Sequence, residues 1–134
     1  MKVAIFVSLN RRPLPAIALT TDTSVITCVS KDCHFGEVFA RKVEALGTSG
    51  DILWVLSTSE NSTNILEAIN VAKKRNRYIL AFLGNDGGKC LQRNDTHLVV
   101  KSKNTPKTQQ AHLFAYQLII EQVERFLFQA GDNE

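Results

Sequence analysis

Three short apolar runs, Ile52 to Leu56 (ILWVL), Tyr78 to Leu83 (YILAFL) and His97 to Lys101 (HLVVK), are separated by stretches with helical periodicity. This alternation constrains the fold more than any other feature. A continuous apolar run bounded by turn residues reads as a strand buried on both faces. Between the first two runs, Ile65, Leu66, Ile69 and Ala72 recur at helical spacing. Lys73, Lys74 and Arg75 then load the last turns, where cations suit the helix dipole. Strands that alternate with helices build a parallel sheet with helices on both faces. Pro15 to Thr20 (PAIALT) adds another candidate strand. Helical patterns cover Ser24 to Ser30, Gly36 to Leu46, Asn64 to Arg75 and Thr108 to Phe128. The expectation is a single three-layer α/β/α domain over residues 1–134, with a mainly parallel sheet.

Residues 57–63 read STSENST, five hydroxyl side chains in seven residues, between the run ILWVL and the next helix. The first amides of a helix lack internal partners, and the dipole there favours negative charge. A phosphate monoester suits such a place. Plain N-capping by Ser59, Asn61 or Ser62 is the other reading, although a cap needs only one such residue. In open parallel sheets ligands bind beyond the carboxyl ends of the strands. Three polar loops are expected there: Thr20 to Thr23, Ser57 to Ser62 and Gly84 to Gly88. For Gly87-Gly88 turn chemistry is the better reading, since Asp-Gly and Gly-Gly are ordinary turn formers.

Composition removes other classes. The net charge is +3, and no basic run is interleaved with aromatics, so nucleic acid is not an expected partner. No apolar stretch is long enough to span a bilayer, and the start MKVAIFVSLNRR lacks a signal-peptide cleavage pattern. Cys28, Cys33 and Cys90 show no C-x-x-C spacing, which suggests reduced thiols and a cytoplasmic protein. Cys33-His34 is a poor zinc pattern, being adjacent residues without a second pair. The tail from Gly131 to Glu134 is expected to fray.

Five segments in order, PAIALTTDTS, DCHFGEVFARKVEALG, GDILWVLSTSENS, LGNDGGK and TPKTQQAH, resemble the sugar isomerase (SIS) domain family. Within it they are most similar to the phosphoheptose isomerases and to their non-catalytic relatives that associate with the bacterial replication initiator. The resemblance runs from about Arg11 to Glu124. It implies a flavodoxin-like fold and a sugar-phosphate ligand, with the phosphate held by Ser57, Thr58, Ser59, Glu60, Asn61 and Ser62. An Asn-Asp pair that touches the sugar falls on Lys31 and Asp32. A glutamine that binds substrate, and zinc where it is present, falls on Gln109. The histidine that ligates zinc and moves protons falls on Gln117. Gln109 and Gln117 lie eight residues apart, broadly on one side of the last helix, with His112 and Tyr116 near that side.

The departures are as specific. The family's first strand, its first phosphate loop, a helical hairpin and one histidine ligand would lie upstream of Met1, so the chain reads as an N-terminally truncated SIS domain. The family's glutamate base aligns near Lys2, and a protonated ammonium accepts no proton. Gln117 cannot shuttle protons as imidazole does. Lys31 stands in place of Asn and Glu60 in place of Gly. Lys2 to Ser8 reads locally as a strand, and on the resemblance as the end of a helix. The expectation is a phosphosugar binder, related to heptose-phosphate isomerases of cell-surface (lipopolysaccharide) sugar synthesis but catalytically impaired. Its catalytic residues are unknown, and most of the family's zinc ligands are missing. A regulatory or protein-interaction module is the alternative. Leu113, Phe114, Leu118, Ile119, Ile120, Val123, Phe126 and Leu127 occupy more than one stripe of the last helix, which implies a homo-oligomer, a dimer or tetramer.

Overall fold

The computed structural model describes residues 12–59 and 61–128. The expectations for Lys2 to Ser8, Glu60 and Gly131 to Glu134 lie outside the described residues. The elements run α1 (Thr23–Asp32), a 3-10 turn (Phe35–Glu37), α2 (Val38–Leu46), β1 (Ile52–Ser57), α3 (Thr63–Lys74), β2 (Tyr78–Gly84), α4 (Gly88–Leu91), β3 (Thr96–Val100) and α5 (Thr105–Phe128). The three strands are parallel in the order β1-β2-β3, with Ile52 opposite Tyr78 and Gly84 opposite Val100. The expected parallel α/β architecture is therefore present.

Each helix of the expected set forms for a local reason. Asp22 starts α1, its Oδ1 accepting the Val25 N–H at 3.1 Å. Asn76, in the left-handed region at φ 52°, closes α3, and the Arg77 N–H returns to Ala72 O at 3.0 Å. Helix α5 begins three residues before the expected Thr108. Asn104 caps it through the Lys107 N–H at 3.0 Å, and Pro106 is tolerated because first-turn amides need no helical partner.

The core lies between α2, α3 and one face of the sheet. Val43, Val55, Ala68, Ile69, Ala72, Ile79, Ala81 and Leu83 form one buried cluster, with Leu19, Phe39 and Ile65 against it. Arg77 ties this layer together from a buried position. Its guanidinium donates to Val43 O at 2.6 Å, to Thr48 O at 3.3 Å and to Gly47 O, so a cation covers the orphan carbonyls at the end of α2. Across the sheet, α5 sets His112 against Phe82 (ring centroids 5.7 Å apart) and Tyr116 against Trp54 (6.3 Å).

Two strand expectations are corrected. Pro15 to Thr20 forms no strand. Pro13 and Pro15 have no N–H to give a ladder. The carbonyls of Leu19 and Asp22 instead accept from Lys42 Nζ of α2, at 2.9 and 3.1 Å, and this draws the segment onto the helix. Nor is β1 buried on both faces, since Ile52 and Leu56 remain 63% and 48% exposed. The helices cover its Val55 side far better than its Ile52 side.

Candidate functional site

Parallel pairing brings the carboxyl ends of all three strands to one edge, at Ser57, Gly84 and Val100. The polar loop after β1 joins the first turn of α5 there. A Cβ on Gly84 would lie 2.9 Å from Thr58 O and 3.2 Å from Thr108 Cγ2, so only glycine lets these three segments meet. Thr108 is itself buried, with its Oγ1 donating to Ser102 O and Asn104 O at 3.4 and 3.2 Å. On the other flank, Gly36 of the 3-10 turn abuts Thr63, the first residue of α3, whose Cγ2 would stand 3.1 Å from a Cβ at Gly36.

The hydroxyl cluster divides by role. Ser57 is buried and donates its Oγ proton to Ser59 O at 2.8 Å, which orders the loop from within. Ser62 occupies the N-cap of α3 but makes no side-chain capping bond. Its carbonyl accepts from Ile65 and Leu66 at 3.1 and 3.0 Å, whereas the amides of Thr63 and Asn64 have no acceptor among the described residues. Thr58 and Ser62 are half-buried, and Ser59 and Asn61 are exposed. Capping therefore does not account for the hydroxyls.

The remaining candidates are placed less tightly. Asp32 ends α1, exposed, and accepts from Cys28 Sγ at 3.3 Å, a bond that holds the Cys28 thiol above its ordinary pKa. Lys31 is exposed beside it, and Gln109 is exposed one residue after Thr108. No hydrogen bond among the described residues joins Asp32 or Gln109 to the hydroxyl loop. Gln117 is exposed and follows Tyr116, whose ring packs on Trp54 in the middle of β1, away from the strand ends. His112 does not share the glutamines' exposed side. It is buried, with Nε2 at 3.2 Å from Leu83 O.

One loop expectation is revised and another holds. Thr20 to Thr23 leaves no strand and serves α1 instead. Gly87 and Gly88, at φ 80° and 47°, make the turn into α4, with Asp86 Oδ1 accepting the Gly88 N–H at 3.0 Å, so turn chemistry explains them. Nothing local in the sequence marks the contact that Gly84 and Thr108 make across three elements. Among the described residues, no three His, Cys, Asp or Glu side chains are grouped to hold a metal ion. Gln109 matches the family's glutamine, but Gln117 puts an amide where the resemblance has an imidazole, and an amide is a poor zinc ligand, so the residues present do not fit the metal. No helix among the described residues is long and apolar enough to cross a membrane.

A family model described as SIS domain matches residues 2–84. The phosphoheptose isomerase of Synechocystis sp. is 50% identical over 119 residues, which are 89% of this chain and 61% of that protein. That of Geobacter sulfurreducens is 42% identical over 120 residues, 90% and 64% of the two chains. The solved structure of phosphoheptose isomerase GmhA from Neisseria gonorrhoeae superposes with a TM-score of 0.80 at 38% identity, covering 82% of this chain and 62% of that one. A phosphoheptose isomerase from Francisella tularensis gives 0.76 at 39% identity, covering 82% and 63%. The chain thus spans less than two thirds of the length of each of these proteins.

Proposed function

Because the chain belongs to the SIS domain family, we propose that it binds a sugar phosphate at the carboxyl edge of its sheet and turns it over poorly or not at all. The carrying observation is the start of α3, where an N-cap serine does not cap and two amides have no acceptor among the described residues. Those amides, with the hydroxyls of Thr58, Ser59 and Ser62, are donors for the phosphate, and Ser57 shapes their loop. Asp32 and Gln109 flank the loop as contacts for the sugar. A heptose 7-phosphate is the ligand class that the relatives' names suggest. Aldose-ketose exchange needs a base and a proton carrier. On the family resemblance the base aligns near Lys2 and the proton carrier falls on Gln117, and neither residue supplies that chemistry. A cytoplasmic location is the reading that the ligand class and the unpaired Cys28, Cys33 and Cys90 support.

Calorimetry with sedoheptulose 7-phosphate tests the site. Ser62→Ala should weaken binding by about 1.5–3 kcal/mol, the worth of one donor to a charged acceptor. Glu60→Gly should tighten it by removing a like charge. The unphosphorylated sugar should bind poorly to every variant. Folded wild type and Glu60→Gly that both ignore the ligand at millimolar concentration would sink the reading. Metal-dependent isomerisation proportional to protein would refute the catalytic half of it. A second reading, a protein-interaction module that self-associates, is favoured by the apolar surface open along α5, where Phe114 and Phe126 are 66% and 77% exposed.

A further inference from the structure

His34 lies between α1 and the 3-10 turn on extended backbone, and its Nδ1 accepts the Gly36 N–H at 3.0 Å. A ring nitrogen that accepts carries no proton, so this bond needs the neutral imidazole with its proton on Nε2. Gly36 is buried, and a Cβ there would stand 2.8 Å from His34 Nδ1 and 3.1 Å from Thr63 Cγ2. The imidazole and the first residue of α3 therefore press on the same point of backbone. Protonation of Nδ1 would set one N–H against another. The acceptor would be lost and two donors opposed.

The groups around the ring give the protonated form somewhere to go. Lys31, Asp32 and Cys33 precede His34 in the chain, and Glu37, Arg41, Glu44 and Glu67 line the groove that the ring shares with the turn, α2 and α3. Arg41 pairs with Glu37 and Arg75 with Glu44, each at 3.0 Å. Asp32 and Glu67 form no ion pair among the described residues. Glu67 lines the same groove of about 510 Å³ as His34, Gly36 and Thr63. An imidazolium that leaves its cap therefore has a carboxylate within the groove to turn toward.

We propose that His34 is a pH-sensitive latch. When neutral it caps the 3-10 turn and holds residues 32–36 against the start of α3; when protonated it releases the Gly36 N–H and loosens that contact. The latch belongs to the turn and stands whether or not the neighbouring edge binds phosphate. Where that edge does bind, acidification reaches it through Asp32 and Thr63.

A pH titration of isotope-labelled full-length protein by NMR tests this directly. At high pH the His34 ring should show the Nε2–H tautomer. As the pH falls, the Gly36 amide should move toward the shift of a free amide, with the same midpoint as the His34 ring. At low pH its exchange should run about five- to tenfold faster than in His34→Asn, the effect of losing one hydrogen bond. Asparagine keeps a cap acceptor that does not titrate, so the variant's Gly36 amide should stay still across the range. A Gly36 amide that ignores the ring's titration overturns the latch, as does an Nδ1–H tautomer at high pH. A Gly36 midpoint that persists in His34→Asn also overturns it, because a carboxylate would then be the titrating group. The wild-type titration decides on its own if the variant does not fold.

Discussion

On the side of the sheet facing α2 and α3, Ile69, Ile79, Ala81 and Leu83 have no exposed surface, whereas on the side facing α5 Ile52, Leu56 and Tyr78 keep 63%, 48% and 48% of theirs. The same three strands supply both faces, so strand propensity does not explain the contrast. Connectivity does. Helix α3 is the crossover from β1 to β2, and a right-handed parallel crossover must pack back on its own strands. Helix α5 follows the last strand, packs over β2 and β3, and reaches β1 through Tyr116 on Trp54. Its outer residues Leu113, Phe114, Leu118, Phe126 and Leu127 are 43–77% exposed. The self-association proposed as a second reading would act on this apolar surface.

The largest effect should come from the closed face. Ile69→Ala removes a fully buried side chain there and should cost about 2–5 kcal/mol, read as a lower urea midpoint with an unchanged slope. A loss below about 1 kcal/mol would mean that this face is no better packed than the open one. Next is Arg77→Met, which strips the carbonyls at the end of α2 of their charged donor and should cost about 1.5–3 kcal/mol. On the open face, Phe126→Ser should change the stability of the isolated chain by less than about 0.5 kcal/mol. The same substitution should shift sedimentation at micromolar protein toward smaller species. A wild type that is already monomeric there would remove self-association as the cover for this face.

The smallest effect is at the foot of the closed layer. Asp51 accepts from the Thr48 backbone N–H at 2.7 Å and from its hydroxyl at 3.1 Å, and these bonds, with Arg77 nearby, hold its carboxyl below the usual carboxylate range. A folded-state pKa below the unfolded one contributes stability that is full above the ordinary carboxylate range and is lost as the pH falls through the folded value. Asp51→Asn should therefore be slightly less stable than wild type at neutral pH, with the gap closing in acid. A gap that widens in acid would show the assignment to be wrong.

Much of this arrangement is readable in the residues. ILWVL, YILAFL and HLVVK became β1, β2 and β3 within a residue or so, because short apolar runs bounded by turn residues bury well in a sheet. STSENST was legible as a strand-to-helix turn on the same grounds, and its place at the sheet edge follows from parallel pairing alone. PAIALT misled because composition cannot tell whether a sheet edge is available. Its Leu19 carbonyl went to Lys42, a residue 23 positions away. Thr108 read only as the start of a helix, yet it closes the site against Gly84 and Thr58, a contact no local pattern encodes.

The amino-acid sequence by itself determined the alternating elements, the parallel sheet and the placing of a hydroxyl-rich turn at the mouth of α3. These follow from hydrophobic period and helix-end chemistry, which act over a few residues. Only the tertiary structure decided that the Ser62 side chain makes no capping bond, that Thr108 closes on Gly84 and Thr58, and that one face of β1 stays open. Each of those depends on which groups from distant segments arrive within about 3 Å, the range over which a hydrogen bond is made or lost.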